Sequence, residues 1–266
     1  MVGGEKHYSL WTVFEPWGAG GLASALRSAV RCKAEMGECT MAEPASWQVS
    51  TDAAEIYDRD FVPALFAPWA PVTAAAAPIE PGDRALDIGC GTGVLTREVL
   101  RRAGQQGQVT GLDLNPGMLA VARRMTPEIA WHEGDAGDLP FPDASFDAVV
   151  SQFVLMFVAD RAAALREMHR VLKPGGRLAV AVWDAIERVP VQKALAGILG
   201  RCVGEEAENM LNMPYALCDA AALSRMLAEA GFHDTKLESR TGEARFASLE
   251  EFIRIEIKGT PLAVMV

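Results

Sequence analysis

Apolar residues in this chain fall in short runs separated by amphipathic stretches, and the alternation is regular from Arg84 onward. Arg84 to Ile88, Val109 to Asp113, Ile129 to Glu133 and Phe146 to Ser151 read as short strands. Arg177 to Trp183 is apolar almost without a break, as a strand buried on both faces should be. Helical repeats lie between them. Val94 to Arg102 is one, and Pro116 to Met125 follows with Asn115 as N-cap and proline at its first position. Another runs from the cap Asp160 to Leu172 and stops at Lys173-Pro174-Gly175-Gly176. This order predicts an α/β fold, a doubly wound and mostly parallel sheet with right-handed crossovers.

The flanks carry weaker patterns. Ser50 to Ala77 reads as a helical preface, with Ser50, Thr51 and Asp52 as caps and Ile56, Phe61, Leu65 and Phe66 as an apolar face cut by prolines. After Asp184, a loosely helical stretch from Val191 to Met213 reads as an insertion over the sheet's carboxyl edge. Asp219 to Ala230 is a clear helix stopped by Gly231, Phe232 to Ser239 reads as a sixth strand, and Leu249 to Lys258 fits helix and strand equally. Residues 1–40 show no sustained period, and read either as a poorly ordered extension or as a start taken too early, with Met41 the natural beginning. The chain thus divides into residues 1–40 outside the fold, a helical lid over 41–83, and a ligand-binding domain over 84–266 whose final strand is in question.

Charge narrows the partners. With 25 basic against 35 acidic side chains the net charge is −10, which repels nucleic acid unless a basic groove overrides it. The densest basic cluster, Arg97, Arg101, Arg102, Arg123 and Arg124, falls on two predicted helices as solvated faces. No apolar stretch approaches a membrane span, and Glu5 and Glu15 bracket too short an apolar piece for an export signal. Cys32, Cys39, Cys90, Cys202 and Cys218 are never closer than seven positions, which excludes a CxxC redox or metal pair; they read as free thiols in a cytoplasmic, reducing setting.

The sharpest chemical signal is Leu86-Asp87-Ile88-Gly89-Cys90-Gly91-Thr92-Gly93, between the first strand and first helix. Its glycines let the main chain turn tightly and approach a ligand at the carboxyl edge. A dinucleotide fingerprint would require glycine at position 94, which is Val94, so the spacing suits a nucleoside without a pyrophosphate. Asp113 ends the second strand, where a carboxylate can accept both ribose hydroxyls, because Asn115 already serves the next helix as cap. Gly134-Asp135-Ala136 ends the third strand; Asp135 can accept from an adenine amine beside small Ala136, or equally cap its own loop.

These residues together resemble the class I S-adenosylmethionine-dependent methyltransferases, in the branch of quinone-biosynthesis and other small-molecule enzymes. The resemblance runs from about Tyr57 to Leu237, through LDIGCGTG at 86–93, GLDLNPGML at 111–119, GDAGDLPFPDASFDAVVS at 134–151 and REMHRVLKPGGRLAV at 166–180. It implies a Rossmann-like methyltransferase fold, S-adenosylmethionine as cofactor and S-adenosylhomocysteine as product. By the same resemblance Asp87, Gly89, Cys90, Gly91 and Gly93 lie against the methionine part, and Asp113 binds the ribose. Leu114 and Met118 pack on the adenine, Asp135 and Ala136 flank it, and Ser151 with Gln152 lines the floor. Tyr57 closes over the amino-acid end. Met118 reads equally as plain helix core. Ser151-Gln152-Phe153-Val154 stands where nucleic-acid enzymes of this class carry Pro-Pro-aromatic or Pro-Cys, so the expected partner is a small, apolar or aromatic acceptor. None of His7, His132, His169 and His233 is assigned as a base, and no metal ligand is assigned. The other reading is a cofactor-binding protein without activity, motivated by the seventh strand: the family's sheet ends with an antiparallel strand for which only Thr241 to Phe246 or Phe252 to Ile257 is available.

Overall fold

A computed structural model describes residues 7–14, 50–242, 244 and 246–258. In chain order the elements are β1 (His7–Phe14), α1 (Thr51–Ile56), a π-helical segment (Tyr57–Phe66), a 3₁₀ turn (Ala67–Trp69), α2 (Ala70–Ala76) and β2 (Arg84–Ile88). Then come α3 (Val94–Ala103), β3 (Gln108–Asp113), α4 (Pro116–Met125), β4 (Ala130–Glu133), β5 (Phe146–Gln152), α5 (Arg161–Val171) and β6 (Leu172–Trp183). The chain goes on through α6 (Pro190–Cys202), α7 (Glu205–Asn212), α8 (Ala220–Glu229), β7 (Thr235–Thr241) and α9 (Leu249–Lys258).

The sheet has seven strands in the order β4-β3-β2-β5-β6-β1-β7, and every pairing in it is parallel. The strand order reverses between β2 and β5, which places the loops after both strands at one crevice, where doubly wound sheets bind their ligands. Leu86, Ile88, Val149, Val150, Val180 and Val182 are buried in a core that continues into α3 and α5. Lys173-Pro174-Gly175-Gly176 is absorbed at the start of β6, where the pairing with β5 jumps from Leu172 to Arg177 across two residues of the partner.

The sheet edge differs from expectation. Phe252 to Ile257, offered above as a seventh strand, lies in helix α9, and Thr241 is the last residue of β7. The place between β6 and β7 is taken by β1, with Tyr8 opposite Leu178 on one side and Thr235 on the other. The expectation that residues 1–40 add nothing to the fold therefore fails for His7–Phe14. Residues 15–49, Met41 included, lie outside the described residues. A parallel partner on both sides satisfies main-chain groups that β6 and β7 would otherwise leave unpaired.

The preface wraps over the carboxyl edge. Ser50 caps α1 by accepting from the Ala53 amide at 3.2 Å. Pro63 cannot donate a main-chain hydrogen bond, and the helix accommodates it by widening to π geometry over Tyr57–Phe66. Glu55 pairs with Arg124 of α4 at 2.8 Å, and the Arg102 guanidinium donates to the Pro71 carbonyl at 2.8 Å. The stretch after Asp184 resolves into α6 and α7, which Gly204 at φ +137° separates, and packs with α9 around Val191, Leu195, Leu199, Leu211, Phe252 and Ile253.

Removing residues 1–14 is expected to lower the melting temperature of the full chain by about 5 °C or more, since two strand ladders are lost. Differential scanning calorimetry of both forms checks this; coincident transitions would show that β1 carries no stability.

Candidate functional site

The glycine loop emerges from β2 and is held by the neighbouring strand. The Gly89 and Cys90 amides both donate to the Leu112 carbonyl, at 2.7 and 3.0 Å, and the Gly91 amide donates to Asp113 Oδ2 at 2.7 Å. Gly89 has φ +69°, and a Cβ there would stand 2.3 Å from Val154 Cγ1, so only glycine allows the loop to lie against the end of β5. Gly91, at φ +53°, has nothing within 4 Å of where its Cβ would be. Backbone is thus exposed to open space beside Asp113. Gly93 begins α3 with no side-chain cap.

The carboxylates around this loop are desolvated. Asp87 is buried, and Thr96 Oγ1 donates to its Oδ2 at 2.6 Å. Burial pushes the Asp87 carboxyl up to about 7, with the Asp113 charge adding to the rise and Thr96 opposing it. Asp113 is also raised by burial, against the pull of amide hydrogen bonds from Asn115 and Gly91. Asn115 caps α4 by accepting from Gly117 and Met118 at 2.9 and 3.2 Å, which leaves Asp113 free of that duty as expected. The Tyr57 hydroxyl is held well above its usual range by burial, then by the charges of Asp113 and Asp58.

Leu114, beside Asp113, is 52% exposed, an apolar surface without a partner at the edge where an adenine was expected; Met118 is half-buried. Asp135 is exposed and its Oδ1 accepts from the Gly137 amide at 2.7 Å, so the loop-capping reading is realised on one oxygen. Ala136 packs against the core. Ser151 is buried with its hydroxyl unpartnered. Gln152 bonds to the preface: its Oε1 accepts from Thr73 Oγ1 at 2.8 Å and its Nε2 donates to the Phe66 carbonyl at 3.2 Å. His132 stands edge-on to Phe141 and His169 edge-on to Phe232, and His233 is exposed. The side chain of His7 lies outside the described residues.

Sequence reasoning missed an aromatic wall. Phe153 stacks on Trp183 with centroids 3.9 Å apart and planes 8° from parallel. Phe66 lies 6.0 Å from Phe153 and 5.2 Å from Tyr57, which in turn is 5.9 Å from Phe61. Phe153 adopts φ +57°, a left-handed conformation costly for an aromatic residue and characteristic of functional sites. The available signal was positional: Phe153 follows β5 and Trp183 ends the adjacent β6, so the sheet brings residues 30 apart in sequence together.

A family model described as a methyltransferase domain matches residues 86–180, the span of all four motifs. The ubiquinone/menaquinone biosynthesis C-methyltransferase UbiE of Vibrio campbellii is 36% identical over 190 residues, covering 65% of this chain and 73% of its own length. The chain belongs to the class I S-adenosylmethionine-dependent methyltransferases. A demethylmenaquinone methyltransferase of Staphylococcus epidermidis is similar at 36% identity over 178 residues, covering 62% of this chain and 73% of its own. The fold agrees with the crystal structure of an S-adenosylmethionine-dependent methyltransferase described as putative from Methanococcus maripaludis, at TM-score 0.52 and 22% identity over 72% of this chain and 89% of that one.

This methyltransferase site fits its cofactor: open space at Gly91, unspent Ser151 and exposed Leu114 are features that a nucleoside would use. Membership of an enzyme family also favours catalysis over mere binding. No described helix is long and apolar enough to cross a membrane.

A raised Asp87 has a definite sign for stability. Folded protein keeps a proton that the unfolded chain loses near pH ~4, so this contribution is greatest at low pH and declines as pH rises toward 7. Asp87→Asn in the ligand-free protein is expected to flatten the fall of melting temperature between about pH 4 and 7 relative to the native chain. Equal slopes in the two proteins would show an ordinary carboxylate at this position.

Proposed function

We propose that this methyltransferase transfers its methyl group to a small, planar, apolar acceptor seated against Phe66, Phe153 and Trp183. The observation that carries the reading is the parallel Phe153–Trp183 stack, one residue from Val154, which touches the glycine loop. Stacked aromatic faces favour a flat ring beside them. The names of the relatives above, which act in quinone biosynthesis, point to the same chemical class.

Cofactor-binding roles follow the geometry. Asp113 accepts from the ribose hydroxyls while its two amide bonds fix its orientation. Leu114 and Met118 cover one side of the adenine, with Asp135 and Ala136 at its rim. Asp87, Gly89, Cys90, Gly91 and Gly93 lie along the methionine part, and Tyr57 closes over it. Ser151 supplies a buried hydroxyl at the floor, and Gln152 holds the preface in place through Thr73 and Phe66. When bound, S-adenosylmethionine supplies an activated sulfonium methyl open to in-line displacement. The protein has to align the acceptor and exclude water, an effect that can remove roughly 7–11 kcal/mol of the barrier. The buried carboxylates also attract a cationic sulfonium and repel neither a neutral acceptor nor its product. A reducing cytoplasm suits this chain, whose Cys90, Cys202 and Cys218 are free thiols.

Two substitutions separate the roles. Asp113→Ala is expected to weaken S-adenosylhomocysteine roughly tenfold to hundredfold by calorimetric titration, the scale of charge-assisted hydrogen bonds. Trp183→Ala should leave that affinity within about twofold and lower kcat/KM for hydroxylated aromatic or quinol acceptors at least ~10-fold. Unchanged cofactor affinity in the first variant would refute the ribose assignment. Unchanged acceptor kinetics in the second would refute the aromatic seat.

A further inference from the structure

The last residue of β5 and the two that follow it go to three different parts of the molecule. Gln152 bonds to Thr73 and to the Phe66 carbonyl of the preface. Phe153 lays its ring on Trp183 at the end of β6. Val154 meets the glycine loop instead: a Cβ built on Gly89 would stand 2.3, 2.4 and 2.8 Å from its Cγ1, Cγ2 and Cβ. The isopropyl group of Val154 therefore fills the space that a side chain at position 89 would need. Two requirements meet at Gly89, a φ of +69° and room for Val154.

The divergence of Phe153 and Val154 depends on the backbone between them. At φ +57° Phe153 is left-handed, a conformation that an aromatic residue keeps only where its surroundings over-determine it. On the strand side, the Phe153 amide donates to the Ala181 carbonyl at 2.8 Å. On the loop side, the Val154 carbonyl accepts from the Phe157 amide at 2.8 Å, and its side chain bears on Gly89. The glycine loop is itself held by Leu112 and Asp113, so it acts as a rigid stop. A reversal of φ at Phe153 would swing Val154 off Gly89 and leave its place in the packing unfilled. We propose that Val154 is a positioning residue: wedged against Gly89, it holds Phe153 left-handed and keeps the Phe153–Trp183 face set for a flat acceptor. The inference rests on the aromatic seat proposed above and adds to it a residue outside the aromatic cluster. Gly89 then serves both ligands, the cofactor through its loop and the acceptor through the side chain it lacks.

Calorimetric titration of the full chain with S-adenosylhomocysteine, and with 1-naphthol as a flat apolar probe in its presence, tests this. Val154→Ala removes both γ carbons and is expected to weaken 1-naphthol at least ~10-fold, with S-adenosylhomocysteine kept within about twofold. Retained S-adenosylhomocysteine binding shows at the same time that the variant is folded. Val154→Thr keeps the branched shape and should bind 1-naphthol within about threefold of the native protein. A residue that served overall stability alone would lower the melting temperature without separating the two ligands. Trp183→Ala is the reference for a lost seat. Native 1-naphthol affinity in Val154→Ala, beside a loss in Trp183→Ala, would overturn the role of Val154 and leave the seat standing. Parallel losses of both ligands in Val154→Ala, or a Val154→Thr variant no better than Val154→Ala, would overturn it too. Failure of the native protein to bind 1-naphthol, or native affinity in Trp183→Ala, would remove the aromatic seat and this inference with it.

Discussion

Three successive amides of the glycine loop are held by the last two residues of β3. Leu112 takes two of them on its carbonyl and Asp113 takes the third on its carboxylate. The arrangement exists only because β2 and β3 run parallel and in register, Ile88 opposite Leu112, so that both strands end at the same edge. A loop so held has little freedom to move, and the carboxylate that holds it is oriented before any ligand arrives. The glycine loop and the ends of β2 and β3 are thereby fixed relative to one another.

Burial gives the junction its electrical character. A chain with ten excess negative charges carries most of them in water, where they count for little. Asp87 and Asp113 are different, because desolvation makes their ionised forms expensive until a cation compensates them. The same dryness raises the Tyr57 hydroxyl and leaves it a neutral hydrogen-bonding group at neutral pH.

The aromatic cluster at the carboxyl edge is built from pieces remote in sequence. The preface brings Tyr57, Phe61 and Phe66, the strand ends bring Phe153 and Trp183, and Gln152 joins the two sets through Thr73 and the Phe66 carbonyl. Pro63 lies within this widened stretch of the preface, where its missing N–H costs no regular α-helical hydrogen bond. On the far side of the sheet, β1 occupies a slot between β6 and β7 and completes a seven-stranded parallel sheet.

Much of this was legible in the sequence. Periodicity marked β2 to β6 and the helices α3 to α5 to within a few residues, because a parallel strand buried on both faces and an amphipathic helix leave local signatures. Glycine spacing and Asp113 marked the loop at the carboxyl edge between β2 and α3, since tight turns and a strand-end carboxylate are also local requirements. Leu249–Lys258 stayed ambiguous, because its apolar residues fit both periods until α6 and α7 offered a surface to pack on. The identity of the strand beside β6 and the Phe153–Trp183 stack were decided by tertiary structure alone. Each joins residues that have no relation along the chain and meet only because the sheet fixes which ends lie side by side. Sequence determined the elements and the glycine loop; packing decided which distant side chains lie near it.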